Sequence, residues 1–145
     1  MILSSRSIRH RLTLPAHEGG LILEPYGTEC QQPASYDLRA DSDYTLDCGV
    51  LSLIASLEWI ELPSDLAATL RCRSSFARRG VQISGGFVDP GFRGHLTLCL
   101  LNLGTDTIHL KKGDRIIQII LHEICDGDET YQGRYQDSVG VVNAR

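Results

Sequence analysis

Short apolar runs, broken at near-regular intervals by turn residues, constrain this chain more than any other feature. Strand-like segments fall at residues 21–23, 36–40, 44–46, 50–55, 58–61, 67–72, 81–83, 95–102, 107–110 and 115–121. Between them stand Asp47-Cys48-Gly49, Leu62-Pro63-Ser64-Asp65, Gly104-Thr105-Asp106 and Lys111-Lys112-Gly113-Asp114. Many short strands punctuated this way predict an all-β sandwich, jelly roll or barrel. Two short helical stretches are expected beside it: residues 4–12, capped by Ser4 or Ser5, and residues 74–79.

Arg71 to Asn102 is where site chemistry concentrates. Its centre, Gly85-Gly86-Phe87-Val88-Asp89-Pro90-Gly91-Phe92-Arg93-Gly94, plants a carboxylate among glycines, which admit positive φ and close backbone approach. The backbone reading is a β-hairpin turning at Gly85-Gly86, followed by a second turn at Asp89-Pro90-Gly91. Just before it, Arg73-Ser74-Ser75 offers a guanidinium, two hydroxyls and backbone amides at a helix start, the donors a phosphate needs. Gln118 is a polar residue in a strand of isoleucines, so its amide must find either a ligand or a structural partner.

The 145 residues fit one domain, residues 1–125, with a polar, glycine-bearing segment at 126–145 that reads as a frayed tail or as a flap that orders on a ligand or a neighbouring subunit. The net charge of −4 argues against nonspecific binding to a nucleic-acid polymer. A local cluster of Arg71, Arg73, Arg78 and Arg79 suits a small anionic ligand instead. No apolar run is long enough for a membrane span, and the charges near the start follow the apolar residues, the wrong order for a signal peptide. Five cysteines without close pairing read as free thiols of a reducing cytosol, so a cytoplasmic location is expected. Serine-hydrolase elbows, Walker loops, dinucleotide fingerprints and zinc-deaminase signatures are all missing.

Together these segments resemble the trimeric dUTPase and dCTP deaminase superfamily. MILSSRSIR, QQPASYDLRA and the tail YQGRYQ resemble its deaminase branch; CRSSFARRG, GGFVDPGFRG and LKKGDRIIQIIL resemble motifs shared by both branches. The resemblance implies a distorted jelly-roll, β-clip fold and a homotrimer. It also implies sites between subunits and a tail, 126–145, that closes over a pyrimidine deoxynucleoside triphosphate. In the resembling deaminases a glutamate in the pattern Leu-Glu-x-x-Asn moves protons at the ring, whereas here the strand reads Leu98-Cys99-Leu100-Leu101-Asn102. A thiol is a weak substitute for a carboxylate in that role.

The implied activity is therefore dUTP diphosphatase, yielding dUMP and pyrophosphate, with dCTP deamination or a catalytically silent nucleotide-binding regulator as the alternatives. By resemblance, Asp89 activates water for attack at the α-phosphorus. Arg73, Ser74, Ser75, Arg78 and Gln118 serve the phosphates, and Asp37 meets the hydration shell of a Mg²⁺ carried by them. Backbone at Gly85, Gly86 and Phe87 reads the ring, Phe92 underlies the deoxyribose, and Tyr131, Arg134 and Tyr135 of the tail complete the site.

Overall fold

A computed structural model describes residues 1–145 and places two antiparallel sheets around one core. Helix α1 (Ser5–Arg11) opens the chain, with Ser4 Oγ accepting from the Ser7 amide as the expected cap. Strands follow in order: β1 (Ile22–Glu24), β2 (Gln31–Gln32), β3 (Ser35–Arg39), β4 (Tyr44–Leu46), β5 (Leu51–Glu61) and β6 (Leu66–Cys72). After helix α2 (Ser74–Ala77) come β7 (Val81–Ser84), β8 (Phe87–Val88), β9 (Arg93–Asn102), β10 (Ile108–Leu110) and β11 (Arg115–Glu123).

One sheet runs β1-β5-β9-β7 and the other β2-β3-β11-β6-β8, with β10-β4 a separate pair. Period-two alternation sends one face of each strand inward. In β9, Leu96, Leu98 and Leu100 are buried while His95, Thr97, Cys99 and Leu101 are half-buried on the opposite face. Ile54 and Ile60 of β5 meet Leu38, Ile117, Ile119 and Leu121 of the second sheet in a single core of 27 buried residues. The all-β expectation with two short helices holds.

Three local readings are corrected. Residues 50–55 and 58–61 form one strand, β5, carried through an irregularity between Ala55 and Trp59. There Ser56 Oγ donates to Glu58 O at 2.8 Å and accepts from Leu96 N at 2.9 Å, so a side chain bridges the gap in the ladder. Secondly, Gly85-Gly86 does not turn a hairpin. β7 pairs with β9 while β8 pairs with β6, so the two glycines, at φ 75° and 104°, carry the chain from one sheet to the other. Leu70 N donates to Gly86 O at 2.7 Å, and a Cβ on Gly86 would lie 3.0 Å from that of Leu70. Only glycine permits that approach.

Thirdly, the tail is neither frayed nor free. It runs beside β9, with Asp137 N donating to Arg93 O and His95 N to Ser138 O, each at 2.8 Å. Gly91 and Gly94 make room for it: a Cβ on Gly91 would strike Thr130, and one on Gly94 would sit 2.8 Å from Ser138 N. All five cysteines are free thiols, and burial pushes that of Cys72 up to about 11. No helix is long and apolar enough to cross a membrane.

Candidate functional site

Two groups of side chains stand out, at different places along β6. The first is cationic and hydroxylic. Where β6 ends, Arg73 becomes the cap residue of α2, and the hydroxyls of Ser74 and Ser75 are exposed. The Arg73 guanidinium is fixed on two sides, by Asp37 Oδ2 at 2.9 Å from Nε and by Arg115 O at 2.9 Å from Nη1. Arg115 lies 3.8 Å from the same carboxylate. In the sheet register Gln118 faces Asp37 on one side and Arg71 on the other, and its Nε2 is 3.4 Å from Ser35 Oγ.

Asp37 is only 1% exposed, and burial raises its carboxyl above the ordinary value while Arg73 and Arg115 pull the other way. Its Oδ1 is the one buried side-chain polar atom that lacks a hydrogen-bond partner. An orphaned carboxylate oxygen beside phosphate donors suits an acceptor for metal-bound water. No group of three or more His, Cys, Asp or Glu side chains could cage a metal. That donor set fits a Mg²⁺ that arrives on its ligand and keeps its waters.

The second group surrounds Asp89, which is exposed in the turn closed by Phe92 N donating to Asp89 O at 3.2 Å. A cavity of about 170 Å³ lies beside it, walled by Phe87, Phe92, His95 and Thr97 and, from the tail, Tyr131 and Tyr135. Asp89 is its only carboxylate. Such a volume suits a single small ring. Phe92 is 7% exposed beneath Tyr131, their ring centroids 5.8 Å apart, so a tyrosine occupies the face expected to meet a sugar. On its other side Asp89 opens onto a second cavity lined by Asp126, Asp128 and Glu129.

The expected residues thus fall into two sets. Phe87, Asp89, Phe92 and Tyr131 come together, reached through Gly85 and Gly86; Asp37, Arg73 and Gln118 come together with Ser74 and Ser75 alongside. Arg78 is exposed at the end of α2, and Arg134 exchanges hydrogen bonds with Arg145 at the tip of the tail. The sets are far apart on one chain. Val88 pairs with Ala68, which puts Asp89 level with Ala67, seven residues along from Ser74. At about 3.3 Å per strand residue that is roughly 20 Å.

Arg115, His95 and Thr97 were not among the expected site residues, whereas Tyr135 was, and it lines the cavity. Arg115 shares a motif with Gln118, and the alternation of β9 puts His95 and Thr97 on the face of Cys99, so both signals were present. Cys99 itself is half-buried, opposite Leu53 of β5 and Ser84 of β7.

Comparison with known proteins bears on the fold and the family. A dCTP deaminase of Pyrococcus horikoshii is 34% identical over 138 residues, covering 84% of this chain and 88% of that protein. A dUMP-forming dCTP deaminase of Streptomyces griseus is 31% identical, covering 100% of this chain and 95% of that one. Among solved structures, the dCTP deaminase of Agrobacterium tumefaciens superposes with a TM-score of 0.68 at 22% identity over 83% of this chain, which spans about half (47%) of that chain. The EIAV dUTPase superposes with a TM-score of 0.62 at 22% identity, covering 80% and 98%. One dUTPase of similar fold, from phage phi11 of S. aureus, is described with a structural Mg(II) ion. The family model described as dCTP deaminase-like matches residues 40–124, and on that match and those identities the chain belongs to the dCTP deaminase-like family of the dUTPase/dCTP deaminase superfamily.

Proposed function

We propose that this member is a dUTP diphosphatase. The observation that carries the reading is that Asp89 is the only carboxylate in the ring-sized cavity, while β9 presents a thiol, Cys99, at the position where the resembling deaminases carry a glutamate. A proton shuttle at the ring contributes typically 10²- to 10⁴-fold, so its loss leaves ring chemistry crippled and phosphorus chemistry equipped.

In the proposed reaction, Asp89 accepts a proton from water as that water attacks the α-phosphorus. The bond from that phosphorus to the oxygen bridging to the β-phosphate breaks, and pyrophosphate leaves with the electron pair. Ser74, Ser75 and Gln118 donate to the phosphate oxygens, and Arg73, held by Asp37 and Arg115 O, offsets the charge that builds there. Mg²⁺ bound to the triphosphate would neutralise charge and orient the leaving group, with Asp37 Oδ1 accepting from its waters. Backbone at Gly85, Gly86 and Phe87 reads the ring edge, and Tyr131 covers it.

A base must stand within hydrogen-bond reach of its proton, directly or through one water. A separation of roughly 20 Å between Asp89 and Ser74 along one chain excludes that within a single copy. On this reading the site is built by two copies, Asp89 with its cavity from one and the Arg73, Ser74 and Gln118 group from the other. That supports a closed homo-oligomer, the trimer that the family resemblance implies.

The names of the relatives favour a second reading, dCTP deamination. Incubation with dUTP or dCTP and Mg²⁺, followed by separation of products, decides between them. Release of dUMP from dUTP, with dCTP left intact, is the expected outcome. Conversion of dCTP to dUTP with no dUMP from dUTP overturns the proposal, and dUMP from dCTP would refute the loss of ring chemistry.

A further inference from the structure

We infer that His95 is a pH-sensitive clasp holding the C-terminal tail in place. Beside β9 the tail is held first by backbone, through His95 N and Ser138 O, and the ladder then changes character. Gly140 N donates to His95 Nδ1 at 3.1 Å, and Val142 N donates to Thr97 Oγ1 at 2.9 Å. Two side chains of one strand face thus take the place of carbonyl acceptors.

A backbone amide can only donate, so in this state Nδ1 carries no proton. Protonation would set an N–H against the Gly140 N–H, two donors face to face, and the bond could not survive. The bond is therefore present while Nδ1 is unprotonated and lost once Nδ1 gains a proton, the change that makes histidine the usual acid-responsive side chain.

The groups facing the imidazole do not mask this change. Trp59 meets it edge-on at 5.4 Å and commits its indole N–H to Glu61 Oε1. Asp89, Tyr131 and Tyr135 share the cavity wall with it. The Arg93–Asp137 pair anchors the docked part of the tail, and Arg93 holds the Asp137 carboxyl below its ordinary value, so that anchor stays ionised in mild acid. Release therefore begins at Gly140, beyond the anchor. Tyr135 and Ser138 line the cavity, so loosening the tail there opens the space beside Asp89.

This inference concerns the strap alone and holds whichever nucleotide the site takes. Hydrogen exchange of the intact chain at about pH 8 and about pH 5.5, corrected for intrinsic rates, reads it directly. Protection of residues 139–143 is expected to fall by about tenfold or more at the acid pH, with residues 98–102 unchanged. His95→Gln keeps an acceptor but has no proton to gain, so its tail stays protected at both values. Trp59 is the only tryptophan, and its emission in the unaltered protein should differ between the two pH values because the imidazole lies edge-on beside it. Tail protection that ignores pH, Trp59 emission flat across the range, or a His95→Gln tail that loosens as the parent does would each overturn the clasp.

Discussion

Asp89 and Asp37 are both carboxylates, and their settings divide their work. Asp89 is exposed at a turn beside a cavity; Asp37 is sealed against guanidinium groups. Asp89→Asn keeps the shape and removes the base, so kcat for dUTP should fall by about 10²- to 10⁴-fold while nucleotide affinity measured by calorimetry persists. Asp37→Asn predicts something less intuitive. Because burial raises this carboxyl, the fold prefers its protonated form. Stability from that preference is complete below the ordinary carboxylate range and is lost as pH rises through the folded value. Asn imitates the protonated acid, so the variant should match its parent in urea unfolding near pH 3.5 and exceed it near pH 7, although Arg73 is left less well held for phosphate. An equal difference at both pH values would refute this. Asp89 and Ser74 could be read as candidates from sequence because glycines and serines around them advertise a site. Arg115 shares a motif with Gln118, but its part shows only once the folded register sets it within 3.8 Å of Asp37.

At the scale of elements, strand existence was legible and strand partnership was not. Turn residues and alternation located nearly every strand, because both signals are local. Gly85-Gly86 looked like a hairpin because two glycines between apolar runs usually make one. Whether the runs pair with each other depends on β9 and β6, which are distant in sequence. Tail docking was hidden for the same reason: its anchors are backbone groups of β9 and two glycines whose purpose appears only when Thr130 and Ser138 lie against them. Gly94→Ala should therefore undock it. Gly94 has φ 142°, and the added methyl would meet Ser138 backbone at 2.8 Å, a cost of about 1 to 3 kcal/mol. Faster cleavage by protease within residues 130–136 checks this. Gly113→Ala is the control, since its φ of 89° brings similar strain with open space around it, and its tail should stay protected.

For the whole molecule, the proposed division of the site between copies makes a prediction that no single-chain site could satisfy. Asp89→Asn and Ser74→Ala are each expected to be inactive alone. Mixed, unfolded and refolded together, they should recover activity at about a quarter of the sites, those where an intact Asp89 meets an intact Ser74 from another copy. Failure to recover any activity would place both residues in one chain.

The docking of the tail has one more consequence. β7 covers β9 only from Cys99 onward, so residues 93–97 would otherwise show a row of unpaired amides and carbonyls to any passing chain. A bare edge of that kind is a template for foreign strands and for fibrous association. The last residues thus act as a selvedge on the sheet: a protein clipped at residue 130 should cloud with time and bind amyloid dyes while the full chain stays clear.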